Sequence, residues 1–250
     1  MPKWPAKAVV FDLDDTIGHF EEVAVFIMGL NLLSAQPGTR DNHFRLFDLF
    51  PKFFRPGIFH ALAILRNAKE RDPGLRVIIY TNNIGPPSWT HLIKDYLERR
   101  LGAPVFDAVI TGHRPYAPGN CRTTFKKTHA DLCRCAGLSQ SAKVLFLDDQ
   151  WHPGMSVPQV SYLKMTPFRC GIPYPLMVDT FLTSGLAGIS FDRDAEGVFQ
   201  RALGNWRVTM LNFLFKTLGG RYTHTKTFVS QRDLQEGRAM CDTVHTFTVA

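Results

Sequence analysis

At 250 residues and 45% hydrophobic content, the chain can bury one sizeable core, or a core with a small appendage, and one main domain is expected. Twenty-nine Lys and Arg against 22 Asp and Glu leave a formal charge of +7, which favours anionic partners such as phosphorylated protein, nucleic acid or acidic peptide. The opening MPKWPAKAVV is too quickly polar for a signal peptide and the longest apolar run, VAVFIMGLNLL, is too short to span a bilayer, so no membrane partner is expected.

The first strand signal is AVVFDLDDT, four apolar residues that run into Asp12, Asp14, Asp15 and Thr16. Carboxylates packed this closely repel one another unless a cation or a task holds them together. Around VAVFIMGLNLL there is room for a flap and a helix. PGIFHALAILRNAKE then sets Ile58, Leu62 and Leu65 on one helical face. LRVIIYTNN is a second strand, ending in Thr81, Asn82 and Asn83, and SWTHLIKDYLERRL a second amphipathic helix carrying Trp89, Leu92, Ile93, Tyr96 and Leu97. FDAVITG, KVLFLDDQ and VSYLKM complete the strand set, with the helical stretch THADLCRCAGL before KVLFLDDQ. Continuous apolar runs suit strands buried on both faces. Their alternation with helices predicts an α/β fold with a doubly wound parallel sheet.

A helix over YPLMVDTFLTSGL closes the sheet domain near residue 187. Residues 188–250 are expected to add an amphipathic helix, with Val198, Phe199, Leu203, Trp206, Met210, Phe213 and Leu214 on one stripe, and then a flexible basic tail covering RYTHTKTFVSQRDLQEGRAM.

In open parallel sheets functional groups gather at the carboxyl ends of the strands. Three strand ends stand out: Asp12 to Thr16, Thr81 to Asn83, and Asp148-Asp149. Phosphoryl transfer needs a nucleophile, a proton donor and acceptor, a divalent cation and donors to the phosphate oxygens. Asp12 can attack phosphorus, and Asp14 can protonate the leaving oxygen and later activate water. Mg²⁺ would take oxygen ligands from Asp12 and Asp148, with Asp149 holding its waters. Thr81 can offer its hydroxyl and its backbone N–H to the phosphate, with Asn82 beside it. The segment from His113 to Lys143 carries six Lys or Arg against the single Asp131, and either Lys126 or Lys127 can point into the crevice. His113 and His152 are read as structural hydrogen-bonding groups, and Arg55-Pro56-Gly57 as a helix entry.

Taken in order, FDLDDT, IIYTNN, a lysine before a helix and VLFLDD resemble the four motifs of the haloacid dehalogenase (HAD) superfamily of aspartate-nucleophile phosphatases, over roughly residues 8 to 165. The chain is most similar to the branch of RNA polymerase C-terminal-domain phosphatases and nuclear LIM interactor-interacting-factor-like proteins, which share Asp-x-Asp-x-Thr and an Arg-Pro-Gly; YTNNIGPPSWTHLIKDYL and FLDDQWHPGM also look like members of this branch in large DNA viruses and protists. It departs from the polymerase-tail enzymes at Asp148-Asp149, where they show Asp-Asn.

The resemblance implies an HAD-like (Rossmannoid) sheet without a large cap and a Mg²⁺-dependent phosphatase. Asp12 would be the nucleophile, and Asp14 the general acid/base and a metal ligand through its carbonyl. Thr16 would support the loop and, with Thr81, Asn82 and Lys127, bind phosphate, and Asp148 with Asp149 would complete the metal site. An open crevice and a basic surface suit a macromolecular substrate, first a phosphoserine or phosphothreonine protein. A nucleic-acid 3′-phosphatase, or a binding protein that keeps the fold without turnover, are the alternatives.

Five cysteines include only one close pair, Cys133 and Cys135, whose spacing is a poor match to zinc ligands. Free, reduced thiols are therefore expected, in the cytoplasm or nucleus.

Overall fold

The computed structural model describes residues 7–33, 39–114, 120–186, 196–219 and 226–250, with side chains described from residue 204 onward in the helix that begins at Glu196. The expected boundary near residue 187 and the side chains of Val198, Phe199 and Leu203 lie outside the described residues. The chain divides into two compact units, each built from separate stretches of sequence.

The first unit comprises residues 1–18, 55–168 and 230–250. It holds five parallel strands, β1 (Lys7–Phe11), β2 (Leu75–Tyr80), β3 (Ala108–Ile110), β4 (Lys143–Asp148) and β5 (Val160–Lys164), in the order β3-β2-β1-β4-β5. The central strand β1 buries Ala8 to Phe11 completely, as a continuous apolar run must when both faces of the sheet are covered. Phe11 is level with Ile79 on β2 and with Leu147 on β4. That register brings Asp12 and Asp148, each one residue further on, to the same edge, with Thr81 just beyond the end of β2.

Eight α-helices are present among the described residues. Two of the first unit's helices match their sequence stripes: α3 (Ile58–Arg71) buries Ile58, Leu62 and Leu65, and α4 (Pro87–Leu101) buries Ile93, Tyr96 and Leu97. Between β3 and β4 lies α5 (His129–Ala136), capped by the Thr128 side chain, which accepts the Asp131 N–H.

The C-terminal run differs from expectation. Instead of a flexible tail, Gln231–Val249 forms a 19-residue helix, α8, opened by a reciprocal capping box between Ser230 and Asp233. Its buried stripe is Asp233, Gly237, Met240, Cys241 and Val244. The spacing is helical, but the first half of the stripe carries little hydrophobicity. Gly237 sits there because the helix presses on the Arg55-Pro56-Gly57 turn: a Cβ at Gly237 would lie 2.2 Å from the Pro56 carbonyl oxygen.

The second unit comprises residues 19–54 and 169–229. Where a flap and one helix were expected, it contains two helices, α1 (Glu21–Leu33) and α2 (Arg40–Leu49), and a 3-10 turn, Pro51–Phe53. They are joined by α6 (Tyr174–Thr183) and α7 (Glu196–Leu218), so the helix expected as an extension belongs to a core of its own. That core is aromatic: Phe26 packs edge-on against Phe50 and Phe181, and Phe54 against Phe20 and Phe47. From α7 it takes Trp206, Met210, Leu214 and Leu218. No helix among the described residues is long and apolar enough to cross a membrane.

Candidate active site

The site is built at the carboxyl edge of the sheet, within the first unit. After Asp12 the chain turns tightly. The Asp15 N–H donates to the Gly18 carbonyl at 2.7 Å and the Ile17 N–H to the Leu13 carbonyl at 2.9 Å. Asp15 takes the turn with a φ of 58°, a conformation that Asp tolerates better than most side-chain-bearing residues.

Carboxylate oxygens of Asp12, Asp148 and Asp149, all three buried, lie within 4.8 Å of one another. The buried Lys127 ammonium stands between two of them, 2.5 Å from Asp12 Oδ1 and 2.6 Å from Asp148 Oδ2. Asp148 also faces His152 Nε2 at 3.2 Å and accepts the Gln150 N–H at 2.7 Å. Asp149 is held by Thr16, whose hydroxyl accepts the Asp149 N–H at 3.0 Å and donates to Asp149 Oδ1 at 3.4 Å.

Among the described residues, three carboxylates face one ammonium, and the protonation balance reflects it. Burial pushes Asp12 up to about 7; Lys127 opposes that rise and the Asp148 charge adds to it. Asp149 is likewise raised, by burial and then by Asp148 and Asp15. Burial works on Asp148 too, but the hydrogen bond from His152 and the charge and bond of Lys127 bring it below the usual carboxylate range. Negative charge is thus undercompensated in an all-oxygen donor set, which is the environment a hard divalent cation such as Mg²⁺ fits.

Across the turn lies a more open group. Asp14 is half-buried, and its carboxylate accepts the Asn83 side-chain N–H at 2.9 Å instead of joining the three-carboxylate cluster. Thr81 is buried, and one sequence expectation for it fails: its backbone N–H is committed to the Ile110 carbonyl at 2.9 Å, so it is not available to a phosphate. The Thr81 hydroxyl oxygen accepts the Asn83 N–H at 3.0 Å. Asn82 is exposed beside it. The two candidate lysines separate cleanly, for Lys127 is buried in the cluster and Lys126 is exposed.

No protein-family model matches this chain, and no curated protein matches it in sequence. The site rests on its own geometry.

Several supporting residues escape sequence reasoning. Arg122 is buried beneath the Thr81 end, donating from Nη1 to the Thr81 and Thr111 carbonyls at 3.1 and 3.3 Å and from Nη2 to the Phe125 carbonyl at 3.1 Å. It ties the end of β2 to the lysine loop. Arg55, expected only as part of a helix entry, is a fully buried strap: Nε donates to the Thr16 carbonyl at 2.6 Å, and Nη2 to the Asp15 and Thr166 carbonyls at 2.7 Å each. Gly154 lies against the lysine loop, where a Cβ would sit 2.8 Å from the Lys127 carbonyl oxygen. The one sequence signal for Arg55 was its place before Pro56-Gly57; for Arg122 it was the basic segment as a whole. His113 is structural as read, paired with Asn120 and packed edge-on against Phe125.

The cysteine expectation is corrected. Cys121 and Cys135 form a disulfide with Cα atoms 5.3 Å apart, whereas Cys133, Cys170 and Cys241 are buried thiols outside any disulfide. Helix α5 turns Cys133 into the core, while Cys135, two residues on, reaches the loop at Cys121, whose carbonyl accepts the Arg134 Nε–H at 2.8 Å. The bridge closes the segment that contains both Arg122 and Lys127.

Proposed function

We propose that this chain is a Mg²⁺-dependent phosphatase of the HAD type, hydrolysing phosphoric monoesters through an aspartyl-phosphate on Asp12. The observation that carries this reading is the buried cluster of Asp12, Asp148, Asp149 and Lys127, with Asp14 set apart on the same turn. Asp12, Asp148 and Asp149 would hold the cation, which supplies charge neutralisation for the phosphate and lowers the proton affinity of Asp12.

In the first half-reaction the Asp12 carboxylate forms a bond to phosphorus as the ester P–O bond breaks. Protonated Asp14 gives its proton to the leaving oxygen. In the second, Asp14, now a carboxylate, takes a proton from water as the water oxygen attacks phosphorus, and the P–O bond to Asp12 breaks. Phosphate leaves and Asp14 is again protonated. Lys127 balances the phosphate charge throughout, and the Thr81 hydroxyl orients its oxygens.

The substrate class we favour is a phosphoserine or phosphothreonine peptide. Ile84, Phe125 and Trp151 are each large, apolar and more than half exposed, and each stands within three residues of a site group, Thr81, Lys127 and Asp149 respectively. Apolar side chains at that place suit the residues flanking a phosphorylated one. Phosphate release from p-nitrophenyl phosphate, with and without Mg²⁺, on the wild type beside Asp12→Asn, tests the chemistry. Mg²⁺-dependent release abolished by the substitution is expected; an unchanged rate in Asp12→Asn sinks the mechanism. Release from phosphopeptides but not from a 3′-phosphorylated oligonucleotide is expected for the substrate class, and the reverse overturns it.

A further inference from the structure

The C-terminal helix reaches the candidate metal cluster through a continuous chain of polar contacts. Glu236, on α8, places Oε2 3.5 Å from Nη1 of Arg55. The Arg55 guanidinium is wholly buried; it also donates to the main-chain carbonyls of Asp15, Thr16 and Thr166, which carry partial charge only, and lies over the Phe168 ring. Burial works against the Arg55 charge, and Glu236 is foremost among the carboxylates that offset it. The Phe168 N–H donates to the Asp15 carbonyl as well, at 2.8 Å, so the turn is gripped from two sides. From Thr16 the chain passes to Asp149 by the two side-chain bonds already described.

We propose that Glu236 is a positioning residue that, through Arg55 and Thr16, fixes the Asp149 carboxylate in the geometry a divalent cation needs. This role rests on the metal-dependent reading above. The close crossing at Gly237 supports it, for the helix backbone is pressed on Pro56, and Glu236, one residue earlier, is thereby held against Arg55 with little freedom. Groups that orient metal ligands from behind typically contribute about 10- to 100-fold to metal affinity. Two contacts further removed than Thr16, Glu236 should contribute about fivefold.

The test is a Mn²⁺ titration of the full chain, followed by loss of the free-ion electron paramagnetic resonance signal, together with the Mg²⁺ concentration for half-maximal phosphate release. Glu236→Gln keeps the shape and removes the charge. It should weaken Mn²⁺ binding and raise the half-activating Mg²⁺ concentration by about fivefold, while kcat at saturating Mg²⁺ stays within about twofold. Glu236→Asp, which keeps the charge on a shorter arm, should fall between, and it serves if the glutamine variant does not fold. Arg232→Ala removes the exposed partner of Glu236 and should leave Mn²⁺ affinity unchanged. Wild-type Mn²⁺ affinity in both Glu236 variants, whatever their melting temperatures, overturns the positioning role. A wild type that neither binds Mn²⁺ nor releases phosphate overturns the active-site reading itself, so the two failures are distinguishable.

Discussion

The two sides of the candidate site are built in opposite ways. On one side, Asp12, Asp148, Asp149 and Lys127 are buried and bonded to one another or to fixed neighbours. On the other, Asp14 and Asn83 are half-buried and joined by a side-chain bond of 2.9 Å, with Asn82 exposed beside them. Buried charges are expensive to leave unpaired, whereas a half-exposed carboxylate can change partner or protonation at little cost. In the proposed mechanism the charged side would hold the fold as well as a cation, and the open side would exchange protons with substrate and water.

The largest expected effect comes from breaking the buried side. Lys127→Met removes the ammonium that bridges Asp12 and Asp148 and leaves two buried carboxylates facing each other. Metal-free protein should lose about 3–5 kcal/mol in urea denaturation, and added Mg²⁺ should restore part of it. A loss below about 1 kcal/mol would mean that water reaches the cluster freely.

Substitution on the open side should separate activity from stability. Asp14→Asn is expected to lower phosphate release by about 10²–10⁴-fold, while the urea midpoint moves little because the amide can still bond Asn83. If the variant loses stability as Lys127→Met does, the two sides are not distinct. If it keeps wild-type turnover, Asp14 is not the proton donor.

These contrasts show which parts of the molecule were readable beforehand. β1 and β4 announce themselves as apolar runs ending in carboxylates, because a strand buried on both faces has little room for polar residues before its end. Asp12 and Asp148 could therefore be placed together from topology alone. Arg55 and Arg122 could not. The main-chain carbonyls they bond lie as far as 111 residues away for Arg55 and 41 for Arg122, and such contacts leave no residue-type pattern. Helix α8 was missed because the first half of its buried stripe is Asp233 and Gly237, chosen for capping and close backbone approach and not for hydrophobicity. The disulfide was missed because Cys133 and Cys135 are close in sequence while the bonded pair spans 14 positions.

A smaller, graded effect should appear in the pH dependence of metal-free stability. The folded protein holds the Asp12 proton more tightly than an unfolded chain, where the carboxyl titrates near 3.8, because its site raises it to about 7. The contribution of Asp12 is thus fully present below about 3.8 and is lost as pH rises through about 7. Asp12→Asn cannot ionise, so its stability relative to wild type should increase from pH 4 to pH 8, and urea midpoints across that range measure it. Saturating Mg²⁺ should flatten the difference. A relative stability independent of pH would mean that Lys127 compensates Asp12 completely.

The smallest expected effect falls on Lys126, and it discriminates between two ways a lysine can serve a phosphate. Lys126 and Lys127 are adjacent and equally charged, and composition treats them alike. In the fold one is buried between carboxylates and the other is exposed to solvent. An exposed ammonium is screened over about 8–10 Å at ordinary ionic strength and loses little by losing one neighbour. Lys126→Ala should therefore leave Mg²⁺-dependent release from p-nitrophenyl phosphate within about twofold of wild type, since a small ester is held by the buried groups. On a long phosphopeptide the same substitution should raise KM modestly and reduce its dependence on salt, because there the surface charge steers and holds the flanking chain. Equal loss on both substrates would place Lys126 inside the phosphate site and blur the division between the buried and open sides.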